Sequence, residues 1–370
     1  MQEKQRNSSV ELLRIVATLM VVVSHCSFHG FYHAGEGYMW IDSAWNRFLL
    51  QISNMGSLGV DVFVLIMGYY MIKSKSGGGR DSKRITILIG EVWTYSLIAL
   101  GLYIVFSNDD LTAKVIITSL FPTMFGRYWF FTTYIVLYMF SSFLNRGILS
   151  LKSDQKAYQK VLGMMFLLWS ISPTFTTATW CSESNLVQFV MLYSMGAYLA
   201  LFPDCLLINK AEKALLISAI AWIGISGLGD IVGTKIPYVA QHITYFYSKN
   251  SVLTICFALS LVAVTVKKYF INTTINSLSR GVFAVYLLTD NLLLRELLWD
   301  NLLHVEQKAE SPILVIWLVI WSASLFLVGV ILDVLRRKTI KKWLSSGGAY
   351  IERKMNCLWN KLKICYSYNH

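Results

Sequence analysis

Long apolar runs separated by short polar segments repeat along most of the chain. From these runs we predict ten membrane-spanning helices, at residues 10–29, 53–72, 85–106, 127–145, 161–173, 186–202, 213–229, 252–267, 281–299 and 312–335. Most of them approach the ~20 residues that a helix needs to cross the hydrocarbon core, whereas the fifth and the eighth are shorter. The pattern therefore predicts an all-α, polytopic membrane protein.

Composition supports this class. The chain is 55% hydrophobic and 15% charged, whereas about 25% of the residues of a soluble domain are charged. With a cytoplasmic N-terminus, 25 of the 33 Lys and Arg residues fall in cytoplasmic segments and only six in outer ones, as the positive-inside rule requires. Both termini are therefore expected in the cytoplasm. The positive-inside distribution of Lys and Arg accounts for the net charge of +12. Nucleic-acid binding is therefore not expected.

Two regions follow from the pattern. Residues 1–335 are predicted to form one membrane-embedded domain, and residues 336–370 a basic cytoplasmic tail. Within the tail, apolar residues recur at helical spacing opposite Lys and Arg residues, which is typical of an amphipathic helix on an anionic leaflet. A solvated basic tail is the alternative. Membrane lipids are expected partners, whereas the oligomeric state is not indicated.

The first predicted span carries two ionisable side chains, Arg14 and His25. Such residues are costly inside a membrane, and their default interpretation is a functional site. Eleven residues make almost three full helical turns, so both side chains lie on one helix face, roughly 16 Å apart along the axis. Imidazole can act as a base near neutral pH, whereas a guanidinium is a permanent cation suited to phosphate.

Three histidines near the end of the first predicted span are candidate metal ligands. His25, His29 and His33 are spaced four residues apart, as ligands on one helix would be. Gly30 and several aromatic residues mark the end of the span, so the helix is not expected to continue to His33. No metal site and no bound cofactor are therefore predicted.

Two carboxylates within the predicted spans are candidates for substrate binding. Asp61 is placed to orient a histidine, to pair with Arg14, or to cap a helix at the interface. Glu91 lies about two turns inside the third span, and a buried carboxylate normally has a partner or a task. The glycines Gly56, Gly59 and Gly68 are predicted to permit close helix packing.

Basic and aromatic residues extend the candidate site. Lys83 and Arg84 begin the third span from the cytoplasm, where they either mark topology or bind an anionic donor. Trp129 and Tyr134 begin the fourth span, where aromatic residues either anchor the helix at the interface or stack on a sugar. The ninth span carries three charged residues, of which Asp290 is a candidate for substrate binding, whereas Arg295 and Glu296 are expected to face headgroups.

These residues together resemble the acyltransferase-3 family of integral membrane acyltransferases. Arg14 and His25 match the family's Arg-x10-His signature, and the segment 59–69 resembles its glycine–aromatic second span. The segment 281–299 resembles the ninth span of Gram-positive members, except that Thr289 stands where a histidine is common. The resemblance covers nearly the whole membrane domain.

The resemblance implies a function. Family members transfer acyl groups, often acetyl, from a cytoplasmic coenzyme A thioester to sugars outside the cytoplasm. It implies His25 and Arg14 as catalytic residues, with Arg14, Lys83 and Arg84 toward the donor. We therefore expect a multi-pass O-acetyltransferase of a bacterial cytoplasmic membrane that uses acetyl-CoA and a glycan acceptor. The alternative is a polytopic transporter of polysaccharide or lipid-linked sugar.

Overall fold

The computed structural model describes residues 6–74, 82–106, 111–175, 184–236, 238–239 and 246–339, and these residues form helices joined by turns. We number the principal helices α1 (Ser8–Phe31), α2 (Ala44–Ile52), α3 (Gly56–Met71), α4 (Ser82–Phe106), α5 (Ala113–Leu120), α6 (Trp129–Ser150), α7 (Gln155–Phe166), α8 (Asn185–Leu201), α9 (Ala211–Gly233), α10 (Val252–Val266), α11 (Thr273–Leu278), α12 (Val282–Thr289) and α13 (Leu314–Thr339). The described residues include no strand beyond one isolated bridge, between His33 and Gly37. The predicted all-α class is confirmed for this part of the chain.

Five helical segments are long and apolar enough to cross a membrane. They are Ser8–Phe31, Ala44–Met71, Arg84–Phe106, Ala211–Gly233 and Leu314–Thr339. The apolar helices α8 and α10 are shorter, with 17 and 15 residues. Helix α6 covers most of the predicted fourth span. The count of ten spans and the cytoplasmic termini stay predictions.

The predicted ninth span is not one continuous helix. Helix α12 ends at Thr289, and the chain turns before a π-helical segment at Leu297–Leu302. Within the turn, the side-chain oxygen of Asn291 accepts a hydrogen bond from the amide of Leu293 at 2.9 Å. Asn side chains compete in this way with helical backbone bonds. The break places Thr289 and Asp290 at a helix end.

Helix α3 packs between α1, α8 and α10 near the centre of the fold. A Cβ atom built at Gly68 would lie 2.0 Å from the carbonyl oxygen of Tyr193, and one at Gly196 would lie 2.1 Å from that of Leu65. Helices α3 and α8 therefore touch backbone to backbone, as small residues permit in membrane proteins. Gly59 meets the backbone of α1 at Ala17, and Gly56 meets the side chain of Ser24 on the same helix, so the predicted packing role of these glycines is confirmed.

A buried ion pair joins α2 to α9. Nε of Arg47 lies 2.8 Å from Oδ1 of Asp230, and the same guanidinium donates hydrogen bonds to the carbonyls of Ile41 and Asp42. Arg47 therefore fixes the loop that follows α1 against two helices.

Helix α9 has an exposed apolar surface. On α9, six large apolar side chains are each more than half exposed: Leu216, Ile217, Ile220, Ile223, Leu228 and Ile231. Such a surface suits contact with lipid.

The predicted basic tail at 336–370 begins within α13, and its residues beyond Thr339 lie outside the described part of the chain.

Candidate active site

His25 lies on α1 beside the broken end of α12. Its Nδ1 is 3.1 Å from Oγ1 of Thr289, and its Nε2 is 3.7 Å from Oδ1 of Asp290. The imidazole is partly buried, with 16% of its side chain exposed, whereas Thr289 and Asp290 are buried. The two nitrogens of His25 therefore face different neighbours.

The hydrogen bonds of Thr289 favour one tautomer of His25. Oγ1 of Thr289 is placed to donate to the carbonyl oxygen of Val285 at 3.0 Å. A hydroxyl has one proton to donate, so in this arrangement the same oxygen accepts a hydrogen bond from Nδ1–H of His25. In the neutral imidazole, Nε2 then carries the lone pair and is the nitrogen that can act as a base.

Asp290 is held in place by a second partner. Nη2 of Arg295 lies 2.8 Å from Oδ1 of Asp290. The expectation that Arg295 simply faces headgroups is therefore wrong, because the turn after α12 brings the guanidinium back onto Asp290. At 3.7 Å from Nε2 of His25, the carboxylate is too far for a hydrogen bond but close enough to attract an imidazolium.

A cavity of about 270 Å³ opens beside His25. We call it the His25 cavity. Its lining includes aromatic rings and small polar groups, among them Ser24, Phe28, His29, Asn54, Ser57, Trp129, Tyr247, Ser248 and Tyr286. The hydroxyl of Tyr247 is hydrogen-bonded to that of Ser226 at 2.6 Å, and burial raises the pKa of Tyr247 to about 12. The cavity combines flat apolar faces with hydrogen-bonding groups.

A second cavity, of about 200 Å³, lies along the same side of α1. We call it the Arg14 cavity. Two guanidinium groups line it, those of Arg14 and Arg84, together with a largely apolar wall that includes Phe63, Met67, Leu88, Phe130, Phe131, Tyr134 and Phe283. Nη1 of Arg14 lies 3.1 Å from Oε1 of Glu11 on the same helix, so Arg14 pairs with neither Asp61 nor Glu91. One third of the Arg14 side chain is exposed.

The two cavities share three lining residues, Val21, Val60 and Tyr286. Val21 lies between Arg14 and His25 on α1, as the common helix face predicts. These three side chains therefore lie on the boundary of both spaces. Reactants in the two cavities would approach each other across these side chains.

The structure places the other predicted site residues in two groups. Trp129 lines the His25 cavity, whereas Tyr134 and Arg84 line the Arg14 cavity. The side chain of Lys83 lies outside the described part of the structure. Nζ of Lys249 lies 4.7 Å from the ring centroid of Trp129, and burial lowers the pKa of this lysine while Asp61 opposes the effect.

The two predicted carboxylates lie away from both cavities. Asp61 is completely buried, and its Oδ1 accepts a hydrogen bond from Nε2 of Gln188 at 3.0 Å. Glu91 lies 3.0 Å from Nη2 of Arg336, which also contacts Asp333 at 2.7 Å. The geometry of Glu91 is that of an ion-pair network between α4 and α13.

One group of side chains could hold a metal ion. Ligand atoms of His25, His29 and Asp290 lie within 4.8 Å of one another. Asp290 already pairs with the Arg295 guanidinium, and a fixed cation so near the carboxylate disfavours a second one. We assign no metal to this group.

Several residues of the site were not predicted. Tyr286 is one of them; it precedes Thr289 by three residues and the predicted Asp290 by four, and this spacing was a usable signal. Asn54 and Ser57 had no signal in the sequence, because they come from the junction of α2 and α3.

Comparison with known protein families matches residues 7–334 to the acyltransferase domain of acyltransferase-3 proteins. This match includes α1, α12 and both cavities. Comparison with curated proteins and with solved structures gave no match. Because the match extends over nearly the whole described region and includes the Arg14 and His25 positions, the chain belongs to the acyltransferase-3 family of membrane acyltransferases.

Proposed function

We propose that this protein transfers an acetyl group from coenzyme A in the cytoplasm to a hydroxyl of a glycan outside a bacterial cytoplasmic membrane. The observation that carries the proposal is that the two cavities share the lining residues Val21, Val60 and Tyr286. One cavity presents cations and the other a base. A reaction between an anionic donor and a neutral alcohol needs these two environments side by side.

The Arg14 cavity suits the donor. Coenzyme A carries phosphates on one end and a long, mostly uncharged arm that ends in the thioester. The guanidinium groups of Arg14 and Arg84 can bind phosphate or polarise a carbonyl. The apolar wall between these groups and Tyr286 suits the uncharged arm. Lys83 precedes Arg84 in the sequence and stays a candidate for donor binding.

The His25 cavity suits the acceptor. An acceptor hydroxyl beside Nε2 of His25 gives its proton to that nitrogen as its oxygen attacks the thioester carbonyl carbon. The carbon–sulfur bond then breaks, and the thiolate takes the proton from the imidazolium to leave as coenzyme A. Asp290 lies near the imidazolium and stabilises its charge. Attack by Nε2 itself, to form an acyl-imidazole, is the alternative route.

The acceptor class follows from the lining of the His25 cavity. Trp129, Phe28 and Tyr247 offer flat faces, and Ser57 and Asn54 offer hydrogen bonds. Sugars combine apolar ring faces with hydroxyls and use both kinds of contact. Glycan hydroxyls are therefore the proposed acceptors.

Purified protein in lipid nanodiscs tests this function. We expect it to bind acetyl-CoA and to release free coenzyme A faster when a soluble glycan is added. His25→Ala should lower that rate by about 10²–10⁴-fold, the usual contribution of a general base. His33→Ala is the matched control, because His33 lies in the loop after α1, where it pairs with Glu306 at 3.3 Å.

Two outcomes would contradict the proposal. Wild-type protein that neither binds nor cleaves acetyl-CoA would favour a transporter. A His25→Ala variant that retains more than about a tenth of the activity would exclude His25 as the base. Mass analysis of envelope glycans after deletion of the gene tests the acceptor, since loss of acetyl esters is expected.

A further inference from the structure

Tyr286 has a buried hydroxyl with no hydrogen-bond partner among the described residues. The residue is only 9% exposed, yet it lines both cavities. A buried polar group without a partner costs free energy and calls for an explanation. The position of Tyr286, at the junction of the two cavities, suggests a partner that arrives with the substrate.

Packing fixes the ring of Tyr286. The ring meets Phe130 edge to face at 5.5 Å between centroids, stacks near Phe283 at 6.2 Å, and contacts Tyr128 at 6.1 Å. Asp290, one helical turn later, and the backbone of Phe130 lie near the Tyr286 hydroxyl and interact with it, although neither contact has the full geometry of a hydrogen bond. A carbonyl oxygen in the cavities would compete with these two contacts for the phenol proton.

The proposed reaction needs a donor at this junction. When the acceptor oxygen attacks the thioester, the carbonyl π electrons move to the carbonyl oxygen, which becomes an oxyanion. A hydrogen-bond donor that points at that oxygen stabilises the transition state and raises the reaction rate by a large factor. Arg14 is placed roughly 16 Å from His25 along α1, so it cannot serve the phosphate end of the donor and this oxygen together. Of the three side chains that both cavities share, only Tyr286 has a polar group.

We propose that the Tyr286 hydroxyl donates a hydrogen bond to the thioester carbonyl oxygen and is a catalytic residue of the acyl transfer. This inference rests on the proposed function. Tyr286 keeps its proton throughout. The acceptor proton goes to Nε2 of His25 and then to the departing sulfur, and the carbonyl re-forms as the carbon–sulfur bond breaks.

Tyr286→Phe tests the inference, because it removes one oxygen and keeps the ring. We expect kcat for coenzyme A release from acetyl-CoA to fall by about 10²–10³-fold, the usual effect of losing one oxyanion donor. The KM for acetyl-CoA should stay within about threefold of wild type, because the interaction forms mainly in the transition state.

Tyr95→Phe is the matched control. Tyr95 also has a buried hydroxyl without a hydrogen-bond partner among the described residues, but it lies near Arg336, away from both cavities. The kcat of the Tyr95→Phe variant should equal that of the wild-type protein. If Tyr286→Phe does not fold, incorporation of 3-fluorotyrosine at 286 replaces it. The fluorinated phenol is a stronger donor, so kcat should rise at a pH where it stays protonated.

The outcomes separate the two proposals. Wild-type protein that neither binds nor cleaves acetyl-CoA contradicts the proposed function itself. Wild-type protein that cleaves acetyl-CoA, together with a Tyr286→Phe variant that keeps more than a third of its kcat, contradicts only the role of Tyr286. An unchanged kcat with fluorotyrosine contradicts that role as well.

Discussion

Nδ1 of His25 lies 3.1 Å from the hydroxyl oxygen of Thr289, and this hydroxyl is anchored to the carbonyl of Val285, 3.0 Å away. The threonine occupies the position where other family members commonly have a histidine. It cannot act as a base near neutral pH, but it can hold the ring of His25 in one tautomer. Thr289 thus stands where the resemblance implies a second histidine, and it lies within hydrogen-bonding distance of His25.

Thr289→Val should lower kcat about tenfold while it leaves the affinity for acetyl-CoA unchanged. Valine has the same shape but accepts no hydrogen bond, so His25 loses the bond that holds its ring, worth about 0.5–1.5 kcal/mol. Coenzyme A release measures the effect. Thr289→Ser keeps the hydroxyl and should retain most of the activity; equal losses in both variants would indicate a packing role.

Arg14→Lys should weaken the binding of coenzyme A about tenfold or more, because the charge remains but the planar fork is lost. Calorimetric titration with coenzyme A measures the dissociation constant. Arg146→Lys is the control, since Arg146 is exposed and rests on Phe143 outside both cavities. Unchanged binding by Arg14→Lys would assign Arg14 to its pairing with Glu11.

Arg336→Met should destabilise the fold by about 3–5 kcal/mol, the usual cost of breaking a buried ion pair. It leaves the carboxylates of Glu91 and Asp333 without their shared partner, although Arg337 still contacts Asp333 at 2.8 Å. Thermal unfolding in nanodiscs measures the loss. Lys267→Met breaks an exposed pair with Glu212 and should leave the Tm unchanged.

Gly68→Ala should lower the Tm strongly. The added methyl carbon would lie 2.0 Å from the carbonyl oxygen of Tyr193, which is backbone and cannot rotate away. Gly147→Ala introduces the same atom where nothing lies within 4 Å, so its Tm should match or exceed that of wild type. Similar Tm values for the two variants would mean that α3 and α8 can separate without cost.

Much of the fold could be predicted from hydrophobic pattern alone. Apolar length identified the helices that begin near residues 8, 84 and 314, because a helix in lipid must satisfy its own backbone groups. The break after Thr289 was not predictable in this way, since leucines continue on both sides of it. The side chain of Asn291 accepts a hydrogen bond from the amide of Leu293, and this local bond competes with the backbone bonds of a helix.

The candidate site was predicted in part. The spacing of Arg14 and His25 placed them on one helix face, and both line cavities on that side of α1. The surroundings of Asp61 and Glu91 could not be predicted, because the partners Gln188 and Arg336 come from helices distant in the sequence. Sequence spacing informs only about residues on the same helix.

The placement of Val21, Val60 and Tyr286 on the boundary of both cavities has an electrical consequence for the proposed reaction. An acetyl group that leaves a thiolate behind moves outward formally as an acylium cation. The proton of the acceptor hydroxyl moves inward through His25 to that thiolate. These two displacements cancel, so no net charge crosses the bilayer in a complete turnover. The rate in sealed vesicles should therefore not respond to a valinomycin-imposed potassium diffusion potential.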